Sequence, residues 1–121
     1  MNLEQVTDIK EIEQMAEKLS TCRDFKLVLA ELLICSQLNQ LVKFTGGFVG
    51  WFRWNMESKK KVENGEIPLH ELNSDGEVLQ IVSFYAPGLS YQVVRLLSKL
   101  KGIKTIFGNT GNRWREVTCL G

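Results

Sequence analysis

Apolar residues recur at three- and four-residue steps in the first third of the chain, which predicts two helices. In residues 8–20 they share one face, as in an amphipathic surface helix, and Asp8 is placed to cap that helix. A second helix is predicted from about Asp24 to Leu38. Apolar side chains cover so much of its circumference that we expect it to be buried on most sides.

The hydrophobic period then changes to that of β-strands. Five strands are predicted: Leu41–Thr45, Phe48–Trp54, Val78–Tyr85, Ile103–Phe107 and Arg113–Leu120. The first two are joined by Gly46 and Gly47, and a Gly-Gly pair between two such segments is a hairpin signal because primed turns require positive φ. Val78–Tyr85 is the most apolar of the five, so we expect it to be central in the sheet.

The remaining segments connect these elements. Residues 55–77 are polar and contain turn signals at Asn64-Gly65 and Ser74–Gly76, which predict a long loop. A helix is predicted from Ser90 to about Leu100, with Gly102 as its stop. The order of elements predicts one α+β domain over residues 1–121. It has a mixed sheet of about five strands, two N-terminal helices and one crossover helix.

Composition is that of a single globular domain with an uneven distribution of charge. The chain has 121 residues, 44% of them hydrophobic and 24% charged, and can bury a core. A formal net charge of +1 excludes a histone-like polybasic protein. Residues 81–121 hold six basic side chains and one acidic one. We therefore expect this part of the chain to attract an anion or an acidic partner.

Cysteine and histidine usage argues against a metal site and against a disulfide framework. Cys22, Cys35 and Cys119 are widely spaced without a CxxC pair, which is typical of reduced thiols in a cytoplasmic protein. His70 is the single histidine and has no neighbour at ligand spacing. No segment approaches the roughly 18 apolar residues of a membrane span, and the polar N-terminus is unlike a signal peptide. We expect a cytoplasmic protein.

Residues 82–92 carry the strongest functional signal. The predicted central strand ends at Ala86-Pro87-Gly88, and the chain then enters a helix at Ser90. Free amides and the positive end of the helix dipole make a helix N-terminus a phosphate site. Ser90 is placed either to cap the helix or to donate to a phosphate. Basic residues along the helix suit a polyanionic cofactor such as coenzyme A, although many turns of this kind bind nothing.

A second cluster is aromatic and basic. Strand alternation sends Trp51 and Arg53 to one face and Phe52 and Trp54 to the other, so one of these faces is expected to be core. Aromatic rings beside arginines also stack unpaired bases. Binding of single-stranded nucleic acid through Trp51, Arg53, Trp54 and Arg113-Trp114-Arg115 is therefore an alternative hypothesis. The low net charge speaks against it.

The layout of the chain resembles the GNAT (N-acetyltransferase-like) fold, and several segments resemble the toxin-activating lysine acyltransferases. The likeness is clearest where Ser74–Glu77 leads into Ile81–Gly88, because that family has a Ser-Gly-Asp-like turn followed by an apolar strand ending in aromatic-Ile-Ala-Pro. It extends more weakly through Gly50–Trp54 and Ser20–Asp24. Acylation of a toxin lysine is not implied.

The resemblance implies a site at the end of the central strand. Main-chain groups of Phe84 and Tyr85 would pair with a pantetheine arm, and amides from Gly88 to Tyr91 would hold phosphate. The implied cofactor-binding residues are Phe84, Tyr85, Pro87, Gly88, Leu89, Ser90 and Tyr91.

Two side chains are candidates for catalysis. Cys22 stands where the family has its catalytic histidine, and Ser83 stands where it has an aspartate. The predicted start of the second helix and the neighbouring Arg23 would favour the Cys22 thiolate. An ordinary buried or capping cysteine is the alternative.

Three functions follow. The first is an acyltransferase-like protein that uses acyl-coenzyme A or an acyl carrier protein as co-substrate, with no covalently bound cofactor and with a protein as a possible acceptor. The second is a non-catalytic GNAT-like binding or interaction module, whose strand Arg113–Leu120 could pair with its copy in a homodimer. The third is the nucleic-acid binding described above.

Overall fold

A mixed six-stranded sheet and four helices make up the part of the chain that the structure describes. The computed structural model describes residues 2–21, 23–110 and 113–118. The strands are β1 (Glu4–Gln5), β2 (Leu41–Phe44), β3 (Gly47–Trp54), β4 (Val78–Tyr85), β5 (Thr105–Thr110) and β6 (Arg113–Thr118). The helices are α1 (Ile9–Leu19), α2 (Phe25–Gln37), α3 (Met56–Glu63) and α4 (Ser90–Leu97), and a 3-10 turn covers Leu69–Glu71.

The strands follow one another across the sheet in the order β1-β2-β3-β4-β5-β6. β1 with β2, β2 with β3, and β5 with β6 are antiparallel. β4 and β5 are parallel, from Val78 opposite Thr105 to Ile81 opposite Gly108. A parallel pair cannot be joined by a tight hairpin, so the chain returns through α4 between these two strands.

Most of the elements agree with the hydrophobic pattern. The α+β class is confirmed, and β4 has the predicted bounds and lies inside the sheet between β3 and β5. Asp8 caps α1 as predicted, since its side chain accepts a hydrogen bond from the Lys10 amide, and Asp24 caps α2 in the same way. The expectation that α2 is buried on most sides is only partly met, because Leu27 is half-exposed.

The predicted loop over residues 55–77 is wrong, because it contains α3 and the 3-10 turn. Asn55 caps α3 by accepting from the Ser58 amide, and Asn64 ends the helix before the positive-φ Gly65. These start and stop signals are visible in the sequence. The helix was nevertheless not predicted, because most of its residues are polar and Val62 is the one branched apolar residue that it buries. β1 was also not predicted, because a strand of two exposed residues is too short to show a hydrophobic period.

The boundaries of several elements also differ. β2 ends at Phe44 and β3 begins at Gly47, each one residue earlier than predicted. α4 ends at Leu97, three residues before the predicted end, and β5 covers Thr105–Thr110 rather than Ile103–Phe107. Ile103 is still buried, and the Lys104 amide donates to the Glu77 carbonyl before the ladder begins. The predicted end of the last strand at Leu120 lies outside the described residues, where β6 is described to Thr118.

The chain divides into two compact units. The first unit contains Met1–Trp51 and Val82–Gly88, and the second contains Phe52–Ile81 and Leu89–Gly121. In the first unit, α1 and α2 supply fully buried apolar residues, among them Ile12, Ala16, Val28, Leu32 and Cys35. A Cβ at Gly50 would lie 3.3 Å from the Cys35 sulfur, so the missing side chain of this glycine lets α2 lie close to β3.

In the second unit, a buried arginine joins β3 to two loops. Arg53 Nε donates to the Gly76 carbonyl at 2.9 Å and Nη2 to the Lys101 carbonyl at 2.8 Å. Burial lowers the pKa of Arg53, and the nearby Asp75 opposes this effect. Lys59 is also largely buried in this unit, bonded to Glu63 at 2.8 Å and paired with Glu116 at 3.5 Å.

Gly76 lies in a crowded part of the second unit, and this makes it a test of the fold. An added Cβ would meet the carbonyl group of Trp54, with the carbonyl carbon only 2.7 Å away. We expect Gly76→Ala to lower the free energy of unfolding by about 3 kcal/mol, measured by urea denaturation. Gly65→Ala is the control, since a Cβ there meets open space and only the positive φ is strained, at a cost of about 1 kcal/mol. Equal losses of unfolding free energy in the two variants would contradict the crowding at Gly76.

Candidate functional site

The turn after β4 has an open backbone. Ala86 is buried, whereas Pro87 and Gly88 are exposed. Gly88 has φ of +73°, and a Cβ built on it would meet nothing within 4 Å. The residue therefore makes a turn that other residues rarely adopt, in a place where a second molecule can approach the main chain.

The N-terminus of α4 differs from those of the other described helices. Side chains of Asp8, Asp24 and Asn55 cap α1, α2 and α3. α4 has Leu89 at its N-cap, with no side-chain cap bond and no acidic residue in its first turn. Its first amides therefore retain their capacity to bind an anion. The suggestion that Ser90 caps this helix is wrong, because Ser90 is its first helical residue, and both Ser90 and Tyr91 are exposed.

The end of β4 is held by aromatic contacts within the first unit. Phe84 and Tyr85 are half-buried. The Tyr85 ring stacks on Phe48 with centroids 5.8 Å apart, and Lys18 Nζ lies 5.0 Å from the Tyr85 ring centroid. These contacts fix the strand up to the residue before Ala86, so the turn begins from a defined position.

Three residues before Tyr85 along β4, the backbone is bound by an arginine that the sequence analysis did not select as a site residue. Arg23 Nη1 donates to the Val82 carbonyl at 2.7 Å, and Nη2 donates to both carboxylate oxygens of Glu31 at 2.8 and 2.7 Å. Burial raises the pKa of Glu31, and the hydrogen bond from Arg23 opposes this effect. The signal was present, since Glu31 is the one acidic residue in the apolar segment that forms α2.

The two predicted catalytic residues have different outcomes. Cys22 lies outside the described residues. Ser83 is 2% exposed, and its Oγ has no hydrogen-bond partner within the described part of the chain. The described Cys35 thiol is fully buried, and this burial raises its pKa, which disfavours the thiolate. His70 is exposed on the 3-10 turn.

The residues predicted to stack on nucleic-acid bases do not form an exposed cluster. Trp51, Arg53 and Trp54 are all buried, so both faces of β3 are covered rather than one. The Arg53 guanidinium is bonded to main-chain carbonyls. The side chains of Arg113, Trp114 and Arg115 lie outside what the structure describes. This contradicts the base-stacking hypothesis for the hairpin.

No group of three or more His, Cys, Asp or Glu side chains among the described residues is arranged to hold a metal ion. Within the same ranges, no helix has the length and apolarity required to cross a bilayer.

Comparison with solved structures shows a GNAT-like fold. The loading GNATL domain of CurA from Lyngbya majuscula aligns with a TM-score of 0.52 and 16% identity over 93% of this chain and 65% of that one. The GphF GNAT-like decarboxylase, solved in complex with isobutyryl-CoA, aligns with a TM-score of 0.57 and 14% identity over 93% of this chain and 68% of that one. The chain thus spans about two thirds of the length of each. No protein-family model and no curated protein matches the sequence.

Arg23 tests whether the contact to Val82 stabilises this end of β4. Arg23→Met leaves the Glu31 carboxylate and the Val82 carbonyl without their donor, so we expect the free energy of unfolding at pH 8 to fall by about 2 kcal/mol. Burial already raises the pKa of Glu31 in the folded protein. Without Arg23 the carboxyl takes up a proton more readily in the folded state than in the unfolded state. The loss is therefore smaller at pH 5 and grows as pH rises.

The measurement is urea denaturation of wild type and variant at both pH values. Glu31→Gln in the Arg23→Met background is the control, because it removes the buried charge and with it the pH dependence of the loss. A loss independent of pH in the single variant would contradict this account.

Proposed function

We propose that this chain is an acyltransferase-like protein that binds the pantetheine arm and phosphates of acyl-coenzyme A, with an acyl carrier protein as the alternative donor. The observation that carries the proposal is the uncapped N-terminus of α4, which follows the positive-φ Gly88 directly after β4. A polyanionic cofactor would supply the acceptors that the first turn of this helix lacks.

The proposed site follows the chain from the end of β4 into α4. Main-chain groups of Phe84 and Tyr85 pair with the pantetheine, and Pro87 and Leu89 shape the turn. Amides from Gly88 to Tyr91 hold the pyrophosphate, and the Ser90 hydroxyl is exposed and able to donate to it. The described pairing of β4 with β5 reaches Ile81, so the pantetheine would lie against the four residues of β4 that follow.

The likeness to solved GNAT-like structures supports a coenzyme A ligand, since one of them holds isobutyryl-CoA. In this proposal residues 1–121 act as one GNAT-like domain in the cytoplasm, with no covalently bound cofactor. Cys22 and Ser83 are the candidate catalytic side chains, and the acceptor is a protein or another amine-bearing or hydroxyl-bearing molecule.

The second candidate is a non-catalytic GNAT-like module that binds an acyl-coenzyme A or a protein partner. The positions of two side chains favour this candidate. Cys35 is buried with a raised pKa, and His70 is exposed on a 3-10 turn. Neither is an evident general base for acyl transfer. Such a module could form a homodimer through β6, which lies at an edge of the sheet.

Isothermal titration with acetyl-coenzyme A tests the binding site directly. We expect saturable binding with a 1:1 stoichiometry and a raised Tm in the presence of ligand, because a ligand that binds the folded state stabilises it. Absence of both heat and thermal shift would contradict the site. Hydrolysis or transfer of the acetyl group in the same samples separates the enzyme from the binding module.

Gly88 tests the location of the phosphates. Gly88→Val places a branched side chain in the open space beside the helix amides and strains the positive φ. We expect coenzyme A affinity to fall about tenfold or more, with the fold retained by circular dichroism. Gly65→Val is the matched control, since Gly65 also has positive φ and open surroundings but lies after α3. A folded Gly88→Val protein with wild-type affinity would place the phosphates elsewhere.

A further inference from the structure

The solvent-facing side of α4 presents an aromatic ring together with a cation. Tyr91 is 76% exposed, the highest value among the large apolar side chains of the described residues. Val93 and Leu97 are the buried residues of α4, and they define the side on which the helix packs. At about 100° per residue, Tyr91 and Arg95 lie on the opposite side, and both are exposed.

Tyr91 and Arg95 are neighbours on this side of the helix. They are four residues apart, so their side chains project from adjacent turns of one face. Helical side chains lean towards the N-terminus, which directs the Tyr91 ring over the first turn and Arg95 back towards the ring. The first turn is also where α4 has no side-chain cap. An aromatic ring, a guanidinium and uncapped amides therefore adjoin one another.

The charge on this face of α4 is not neutralised by nearby carboxylates. Residues 78–115 contain no Asp or Glu. The Arg95 guanidinium forms no ion pair with any described residue, whereas Lys104 pairs with Glu77 at 3.4 Å. A cation in the last turn of α4 is favourable for the helix dipole, but the dipole does not account for an exposed ring one turn earlier. The face is suited to a ligand that is both aromatic and anionic.

We propose that Tyr91 and Arg95 bind the adenosine 3′-phosphate end of coenzyme A. Tyr91 stacks on the adenine, and Arg95 pairs with the 3′-phosphate. The inference rests on the proposed function, because a pyrophosphate held at the start of α4 would bring the attached nucleotide to this turn. A base stacks on an aromatic ring through its π-face, and a guanidinium binds phosphate through two parallel hydrogen bonds.

This assignment selects between the two acyl donors that the proposed function leaves open. The arm of an acyl carrier protein ends at a single phosphate and has no adenosine, so it would leave Tyr91 and Arg95 without a partner. A purely apolar partner would cover Arg95 without supplying a counter-charge. The nucleotide of coenzyme A supplies the aromatic surface and the anion in one group. The face therefore favours a coenzyme A thioester as the donor.

Isothermal titration with ligands that lack parts of the nucleotide tests the assignment. The ligands are coenzyme A, dephospho-coenzyme A, which lacks the 3′-phosphate, and 4′-phosphopantetheine, which lacks the adenosine. We expect wild type to bind coenzyme A about tenfold more tightly than dephospho-coenzyme A. Arg95→Met should bring these two affinities to within about twofold of each other.

Lys99→Met is the matched control for charge. It removes the same charge about one turn further along the chain, where Lys99 is exposed and pairs with no described carboxylate. We expect the preference for coenzyme A over dephospho-coenzyme A to remain about tenfold in this variant. An equal loss of preference in Arg95→Met and Lys99→Met would indicate general attraction of an anion rather than a phosphate site, and would overturn the role of Arg95.

Two variants of Tyr91 separate the ring from its hydroxyl. Tyr91→Ala should reduce the preference for coenzyme A over 4′-phosphopantetheine about tenfold, because the stacking surface is lost. Tyr91→Phe should retain that preference, since stacking uses the ring alone. Equal losses in the two variants would contradict stacking. Circular dichroism checks that each exposed substitution leaves the fold intact.

The outcomes separate this inference from the proposed function. If neither coenzyme A nor 4′-phosphopantetheine binds, both are overturned. If all three ligands bind with equal affinity and the variants of Tyr91 and Arg95 change nothing, the inference alone fails. The acyl carrier protein would then be the favoured donor.

Discussion

The parallel pairing of β4 with β5 is the constraint on which the candidate site depends. Two adjacent strands that run in the same direction must be connected by a segment that returns along the sheet, and α4 is that segment. The connection places the carboxyl end of one strand and the amino end of one helix in immediate succession. A turn that ends a strand and begins a helix therefore exposes both strand and helix main-chain groups in one short stretch.

Two arginines stabilise the structure through main-chain oxygens rather than through ion pairs alone. Arg23 binds the Val82 carbonyl in the first unit, and Arg53 binds the Gly76 and Lys101 carbonyls in the second. A guanidinium has five donors in a fixed plane, so it can join segments that are distant in sequence. Lysine, with a single donor atom, could not bind two carbonyls in the same directions.

The elements with an unambiguous hydrophobic period could be predicted from the sequence. β4 and the start of α4 were predicted to the residue because the apolar run, the Pro-Gly pair and the amphipathic pattern agree there. α3 was missed because its polar residues resemble those of a loop, although Asn55 and Asn64-Gly65 mark its ends. The burial of Trp51 and Arg53 also escaped prediction, because alternation cannot reveal that both faces of a strand are covered. The pairing of Arg23 with Val82 spans 59 positions, so no local pattern contains it.

The basic run of α3 also has a consequence for chemical reactivity. Lys59 is largely buried between Glu63 and Glu116, and its Nζ lies 5.5 Å from the Phe107 ring centroid, whereas Lys60 is exposed. The hydrogen bond to Glu63 raises the pKa of Lys59 and so reduces the fraction of neutral amine that can attack an electrophile. Adjacent lysines on one helix thus differ in their access to reagents in solution. An amine-reactive reagent would modify the exposed Lys60 and spare the buried lysine that stabilises the fold.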